Sequence, residues 1–201
     1  MKKNRTKELL ADSLYEIARH KSFDRITIQD IVADCGMSSS TFYRHFRDKY
    51  DLAEWIYEQK YMVFFQNQGR KDGGVSFRRS QTGPILAWVM YCRENRVFLL
   101  NLLKNTGGED SFLDSMIRTH ARLVEDLVIS GSGEQALSDA VRQKIYLYAG
   151  GGTLLMEAWL RGRIRATPEG LAEAIIEAVP AKIIPLIISR VSPGVNRDGS
   201  S

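Results

Sequence analysis

Hydroxyl and basic side chains are concentrated in one short stretch of the 201-residue chain, residues 38–45. Small hydroxyl groups can approach a polyanion closely and bond to its phosphates, while arginine and histidine can bond to phosphates or to base edges. A helix that only packs against its neighbours does not need so many polar groups on its surface. The stretch therefore predicts contact with a nucleic acid through Ser38, Ser39, Ser40, Thr41, Tyr43, Arg44 and His45.

Two predicted helices position this stretch. Thr27, with Asp30 three residues later, matches the capping box that begins a helix, and Gly36 supplies the residue that ends it. Ser38 is a suitable cap for a second, shorter helix in which two phenylalanines share one face. This is the layout of a helix-turn-helix over about residues 28–47, a motif that places its second helix in the major groove of DNA.

Lys49 follows the helix-turn-helix at an unusual position. Asp48 is a capping residue for the next helix, so Lys49 lies in the first turn, where the helix dipole disfavours a cation. The arrangement makes sense if the lysine and the helix terminus bind the same phosphate. We therefore expect Lys49 to contact the DNA backbone.

The rest of the chain also has the pattern of helices. Apolar residues recur at helical spacing, and no alternating run beside a hairpin turn indicates a strand. A polar, glycine-rich and basic segment at 69–83 predicts a surface loop before a helix that begins at Pro84. The fold class is therefore all-α, with further helices predicted over about 5–20, from Asp48 through Phe65, over 84–93, 95–104, 110–129 and 135–162, and from Pro168 to Ile187, interrupted at Pro180 and Pro185.

Composition and cysteine usage exclude several classes of protein. The chain is 44% apolar and 26% charged, as in globular proteins, and no apolar run approaches the ~18 residues of a membrane span. Glu8 and Asp12 fall where a signal peptide needs apolar residues. Cys35 and Cys92 show neither metal-ligand nor disulfide-framework spacing. We therefore expect a cytoplasmic protein with no cofactor, metal or membrane partner.

The net charge of +4 is unevenly distributed. Residues 60–104 hold eight basic and two acidic side chains, an excess to which the sequence assigns no role. Lys2, Lys3, Arg5 and Lys7 precede any acidic residue and predict a basic tail that can follow a phosphate backbone.

The helix-turn-helix region resembles the N-terminal signature of the tetracycline-repressor (TetR) family of bacterial transcription regulators. The similarity covers about residues 5–56 and is carried by TIQDIVADCGMS at 27–38, TFYRHF at 41–46, Lys49 and Leu52. The resemblance implies an N-terminal three-helix DNA-binding domain at 1–50, a larger helical regulatory and dimerisation domain at 51–191, and a disordered tail at 192–201.

The same resemblance implies roles for individual residues. Tyr43 and His45 would contact phosphates, Thr27 and Lys49 would clamp the DNA backbone at two helix N-termini, and Ser39, Ser40 and Arg44 would face base edges. Ser39 and Ser40 depart from the Lys-Gly pair common in the family, so one phosphate-binding cation is missing.

The C-terminal part is similar to a subgroup that includes activators of dihydroxyacetone-kinase operons. The similarity is carried by Gly150–Gly152, Trp159, Gly162 and the helix start Pro168–Leu171. Glycines inside a helix each lose about 1 kcal/mol of propensity, which indicates close packing of helices at a subunit interface. The residues predicted for a twofold dimer interface are Gly151, Leu154, Leu155, Trp159, Ile175, Val179 and Ile183.

Large aromatic and polarisable side chains of the C-terminal part suit either a core or an effector pocket. The pocket interpretation assigns ligand binding to Trp88, Tyr91, Phe98, Met116, His120, Tyr148 and Trp159. The function predicted is a ligand-responsive homodimeric repressor of a palindromic operator. The alternative is a co-regulator or activator of the same fold that works through protein contacts. An enzyme is a distant third, because Glu109, Asp110 and His120 are the nearest approach to catalytic groups.

Overall fold

The computed structural model of the chain describes residues 2–65, 77–107, 111–132 and 136–184. These residues form nine α-helices and a 3-10 turn, with no strand among them, so the all-α prediction is confirmed. The helices are α1 (Lys2–Ala18), α2 (Ile28–Asp34), α3 (Ser39–Tyr43), α4 (Lys49–Phe65), α5 (Phe77–Glu94), α6 (Arg96–Asn105), α7 (Phe112–Ser132), α8 (Asp139–Leu160) and α9 (Pro168–Glu177), and the turn is Phe23–Arg25.

Local capping signals begin three of these helices as predicted. The Thr27 hydroxyl accepts from the backbone N–H of Asp30 at 3.1 Å, and the Asp30 carboxylate accepts from the Thr27 N–H at 2.7 Å, which completes the capping box of α2. Ser38 caps α3 by accepting from the Thr41 N–H, and Thr167 caps α9 with Pro168 at the first helical position.

The apolar faces of the helices meet in one core that runs from α1 to α9. A smaller core lies between α7 and α8 and includes Ile183. The predicted boundary between residues 50 and 51 falls in the first turn of α4, whose side chains belong to the same core as those of α1. The division into two domains therefore stays a prediction, while α4 joins the two parts physically.

Several predicted helix bounds are wrong. The helix expected to begin at Pro84 begins at Phe77, so Pro84 lies in its interior, and packing of α5 against α9 offsets the lost backbone hydrogen bond. The last helix, by contrast, ends at Glu177, in agreement with the interruption expected at Pro180, because proline cannot donate the bond that would continue it. Residues 69–76 of the predicted loop, Glu109, Asp110, Ile187 and the tail 192–201 lie outside the described residues.

No described helix has the length and hydropathy needed to cross a lipid bilayer.

Candidate nucleic-acid interface

The predicted reading helix, α3, has one buried face and one exposed face. Gly36 adopts a φ of 67°, the left-handed conformation that glycine tolerates best, and this turn aims α3 away from α2. Phe42 is fully buried and packs on Phe46 with ring centroids 5.9 Å apart. On the opposite side Tyr43 is 60% exposed and Arg44 is exposed, so burial of the phenylalanines determines which residues can reach DNA.

Internal hydrogen bonds hold several of the predicted DNA-contacting residues. Ser38 is exposed but engaged as a cap, and Ser39 donates to Oε1 of Gln29 on α2 at 3.3 Å. Nη2 of Arg44 donates to the Thr41 hydroxyl at 3.3 Å, which keeps the guanidinium along α3. Ser40 is exposed, whereas Thr41 and His45 are half-buried. The structure therefore brings the predicted set onto one short helix with Tyr43, Arg44 and Ser40 outermost.

Thr27 has a structural role at the start of α2. Its hydroxyl also donates to the Asp30 carboxylate at 2.8 Å, so the hydroxyl and the N–H of Thr27 both bind Asp30. Lys21 forms an ion pair with the same carboxylate at 2.7 Å. The Lys21 ammonium and the Thr27 donors lower the pKa of Asp30 to about 2. A phosphate contact by Thr27 stays a prediction.

Lys49 has a different partner from the one expected. Its ammonium donates to the carbonyl oxygens of Phe23 at 2.7 Å, Asp24 at 3.0 Å and Ile26 at 2.7 Å. An ammonium has three N–H donors, and all three are used, so the assignment of Lys49 to a phosphate clamp is corrected. Partial burial lowers the pKa of Lys49. The carbonyls of the 3-10 turn, rather than a phosphate, explain a cation at this helix N-terminus.

Asn101 of α6 is a residue that sequence reasoning missed. Its Oδ1 accepts from the Phe23 N–H at 2.9 Å, and its Nδ2 donates to the carbonyls of Ala18 at 2.7 Å and Lys21 at 2.9 Å. Asn101 and Lys49 therefore both form hydrogen bonds to the backbone of the connection between α1 and α2. An asparagine inside a predicted helix carries no local signal for such contacts, because its partners lie about 80 residues away in sequence.

An apolar cavity of about 80 Å³ lies among α4, α5, α7, α8 and α9. Of the seven predicted ligand residues it includes Trp88, His120 and Tyr148. The other four serve as packing elsewhere: Phe98 lies on Tyr15, Met116 is fully buried, Tyr91 stacks on Trp88 from outside the cavity, and Trp159 donates its Nε1–H to the Ala166 carbonyl at 2.9 Å.

His120 is the polar centre of the cavity wall. Its Nε2 lies 2.7 Å from the hydroxyl of Tyr57, and its Nδ1 lies 2.8 Å from the hydroxyl of Thr153. Burial lowers the pKa of His120 from 6.5 to about 3, so the imidazole is neutral near pH 7. Burial likewise raises the pKa of Tyr57 well above 10. The wall is therefore uncharged.

The predicted dimer residues divide into two groups. Leu154 is 52% exposed, and Gly151 is exposed beside it on α8. Ile175 and Val179 instead line the cavity, and Ile183 is fully buried in the smaller core. The assignment of these three residues to a subunit interface is corrected, because their side chains pack inside the protomer. Trp159 and Leu155 are half-buried and pack against the main core.

Within the described ranges, no group of three or more His, Cys, Asp or Glu residues is placed to hold a metal ion.

Helices α2 and α3 form a helix-turn-helix with one exposed face, and the comparisons with known proteins find the same motif. Residues 12–56 match the model of bacterial regulatory proteins of the tetR family. An uncharacterised HTH-type transcriptional regulator of Haemophilus influenzae is 24% identical over 132 residues, a match that spans 63% of this chain and 63% of that protein. Residues 12–56 of the chain are therefore similar to the DNA-binding domain of tetR-family regulators.

A solved structure resembles the whole fold. The dihydroxyacetone kinase operon activator DhaS is similar with a TM-score of 0.59 over 89% of this chain and 96% of that chain, at 17% identity. At this identity the likeness concerns the fold, and it extends through the C-terminal helices.

Proposed function

We propose that the chain is a homodimeric repressor that binds a palindromic operator in the cytoplasm and is released by a small molecule. The observation that carries the DNA-binding part is the geometry of α3, where burial of Phe42 and Phe46 leaves Tyr43 and Arg44 exposed. Five residues of helix read few base pairs, so operator recognition requires two copies of the helix. Two-fold symmetry then requires a palindrome.

The exposed face of α8 supports the dimer. Leu147 is 77% exposed and Leu154 is 52% exposed, and with Gly151 they recur every three to four residues on one side of the helix. Apart from its chain neighbours and the backbone of α8 itself, a Cβ atom added at Gly151 would meet no atom of the described residues within 4 Å. The glycine is therefore unexplained inside the protomer, while close approach of α8 from a second copy would explain it.

The cavity supports the effector. The cavity is bounded by α4, which begins immediately after the helix-turn-helix, and by α7. Ion pairs from Arg118 to Glu54 and from Arg122 to Glu58 join α7 to α4. A molecule that binds one arrangement of these helices more tightly would shift the position of α4. The dimer is released from DNA if, in that arrangement, the distance between its two α3 helices no longer matches the spacing of the operator half-sites.

A gel mobility shift with the DNA upstream of the protein's own gene tests DNA binding. Tyr43→Ala should weaken binding to all sequences alike, because a phosphate contact carries no sequence information. Arg44→Ala should cost about 1–3 kcal/mol and relax preference at one base pair. Arg93→Ala, which removes an exposed arginine of α5, is the matched control and should bind as the parent does.

Two outcomes would contradict the proposal. No shift of any palindromic fragment at low salt would refute DNA binding and leave the co-regulator alternative. Loss of binding in Arg93→Ala equal to that in Arg44→Ala would show that overall charge, not α3, is responsible.

Sedimentation of the free protein tests the dimer. Leu154→Glu places a charge on the exposed stripe of α8 and should give monomers that remain folded and bind operator DNA weakly. Glu173→Lys, an exposed change on α9, is the control and should sediment as the parent. A Leu154→Glu protein that stays dimeric would refute the α8 interface.

A further inference from the structure

Trp88 is held rigidly at the wall of the cavity. It is 3% exposed, and its ring makes edge-on contacts with Tyr57, Tyr61 and Phe64 at centroid distances of 5.3, 4.8 and 5.5 Å. It also stacks on Tyr91 at 5.3 Å. Four aromatic neighbours leave the indole no room to rotate, so the direction of its N–H is fixed by packing.

The indole N–H of Trp88 has no acceptor among the residues that the structure describes. A buried donor without a partner is unfavourable, because its hydrogen bond to water is lost on folding and not replaced. Buried polar groups are satisfied in the great majority of cases, so an exception beside a cavity indicates a group supplied from outside the protein. A bound molecule with a hydrogen-bond acceptor would satisfy it.

Two neighbouring polar side chains of the lining, His120 and Tyr148, have partners within the chain. Both ring nitrogens of His120 are engaged, by Tyr57 and by Thr153, and the Tyr148 hydroxyl donates to the Ile175 carbonyl at 3.1 Å. The Trp88 N–H therefore differs from these groups, because it lacks an acceptor that a ligand would supply.

The charge of the wall restricts the ligand further. None of the described residues that line the cavity is Asp, Glu, Lys or Arg. A charged ligand would lose its hydration and gain no opposite charge, which is strongly unfavourable in an apolar cavity. The remaining lining residues are mostly aliphatic, including Leu123, Val124, Leu127 and Met156, and they favour a hydrocarbon body.

We propose that the cavity binds small, uncharged, mainly hydrocarbon molecules that carry one hydrogen-bond acceptor, and that Trp88 donates its indole N–H to that acceptor. The inference rests on the effector site of the proposed function and names its ligand class. The size follows from the volume of about 80 Å³, which is roughly half of the ~150 Å³ cavity that holds benzene. Ligands of about three to four non-hydrogen atoms, such as acetone, fit this description.

Three probes of one size separate acceptor, charge and apolar burial. Acetone carries an acceptor, 2-methylpropane carries none, and isopropylammonium carries a charge. Binding is measured on the full chain without DNA, from ¹H–¹⁵N spectra in which the indole signal of Trp88 is the one missing from Trp88→Phe. Acetone should bind and move this signal downfield, 2-methylpropane should bind without that displacement, and isopropylammonium should bind at least tenfold more weakly than acetone.

The Trp88→Phe variant isolates the hydrogen bond. Its larger cavity affects both neutral probes, so the ratio of their affinities is the informative quantity. The preference for acetone over 2-methylpropane should fall about three- to tenfold. Trp159→Phe is the matched control, because it removes an indole whose N–H binds the Ala166 carbonyl, and it should leave the ratio unchanged.

The contradicting results are distinct from those of the proposed function. An unchanged ratio in Trp88→Phe, tightest binding by isopropylammonium, or no binding of acetone at the highest concentration at which the protein stays folded would overturn the inference. If Trp88→Phe does not fold, the displacement of the indole signal in the parent protein is the deciding measurement. Acetone that binds with the indole displacement yet leaves the operator complex intact would contradict effector release and not the ligand class.

Discussion

Replacement of Asn101 by leucine should destabilise the protein by weakening the connection between α1 and α2. Leucine has the same branching and number of non-hydrogen atoms as asparagine, with a larger volume, but cannot form hydrogen bonds, so three backbone groups lose their partner. These are the N–H of Phe23 and the carbonyls of Ala18 and Lys21. At about 1 kcal/mol for each bond, the expected loss is about 3 kcal/mol, a substantial part of the ~5–15 kcal/mol of a typical domain.

Urea unfolding measured by circular dichroism gives this quantity directly. The midpoint should fall with an unchanged slope, since the surface exposed on unfolding is the same. Asn101→Asp keeps an acceptor for Phe23 but sets a carboxylate oxygen against the carbonyl oxygens of Ala18 and Lys21, so it should destabilise the protein at least as much as the leucine variant. Suppose that Asn101→Leu keeps the circular dichroism spectrum of the parent and loses less than about 1 kcal/mol of unfolding free energy. This result would refute the view that Asn101 stabilises the connection between α1 and α2.

Further consequences concern DNA affinity and pH. DNA affinity of Asn101→Leu should be weaker at every salt concentration with an unchanged salt slope, because no phosphate contact is removed, and a changed slope in filter binding would contradict this. Lys49→Met should lower stability by about 2 kcal/mol in urea unfolding because three carbonyls lose a charged donor, and should also leave the salt slope unchanged. A salt slope reduced by about one in Lys49→Met would instead support contact between Lys49 and a DNA phosphate. Between pH 6.5 and about 3, the unfolded state binds a proton that buried His120 does not, so stability should fall by about 1.4 kcal/mol per pH unit below 6.5. In His120→Gln this dependence should be absent from urea midpoints measured across pH 7 to 4.5, and an identical dependence would assign it to another group.

Signals that act over three or four residues predict this protein well. The Thr27 to Asp30 capping box, the Ser38 cap and the Thr167-Pro168 helix start all appear in the structure as expected. Their partners are separated by three residues along the chain, so the sequence itself places them together. The same holds for the exposed face of α3, which follows from the spacing of its phenylalanines.

Contacts between distant segments account for the wrong assignments. Lys49 was correctly identified as an unusual cation, but its carbonyl partners lie 23 to 26 residues earlier. Ile175, Val179 and Ile183 share one helical face by spacing, and spacing cannot distinguish a face buried in the protomer from one buried against a second copy. Asn101 shows the extreme case, since nothing near it in sequence indicates the turn that it binds.

Selection of operator DNA from a random pool by the intact protein tests most directly the claim that two copies of α3 read DNA. The expected product is an inverted repeat whose half-sites lie about 34 Å, or a multiple of it, apart along the helix axis. With Arg44→Ala in place of the parent, the same repeat should lose its preference at one symmetric pair of positions. Recovery of no enriched sequence, or of a single unrepeated site with the same preferences in both proteins, would contradict the account.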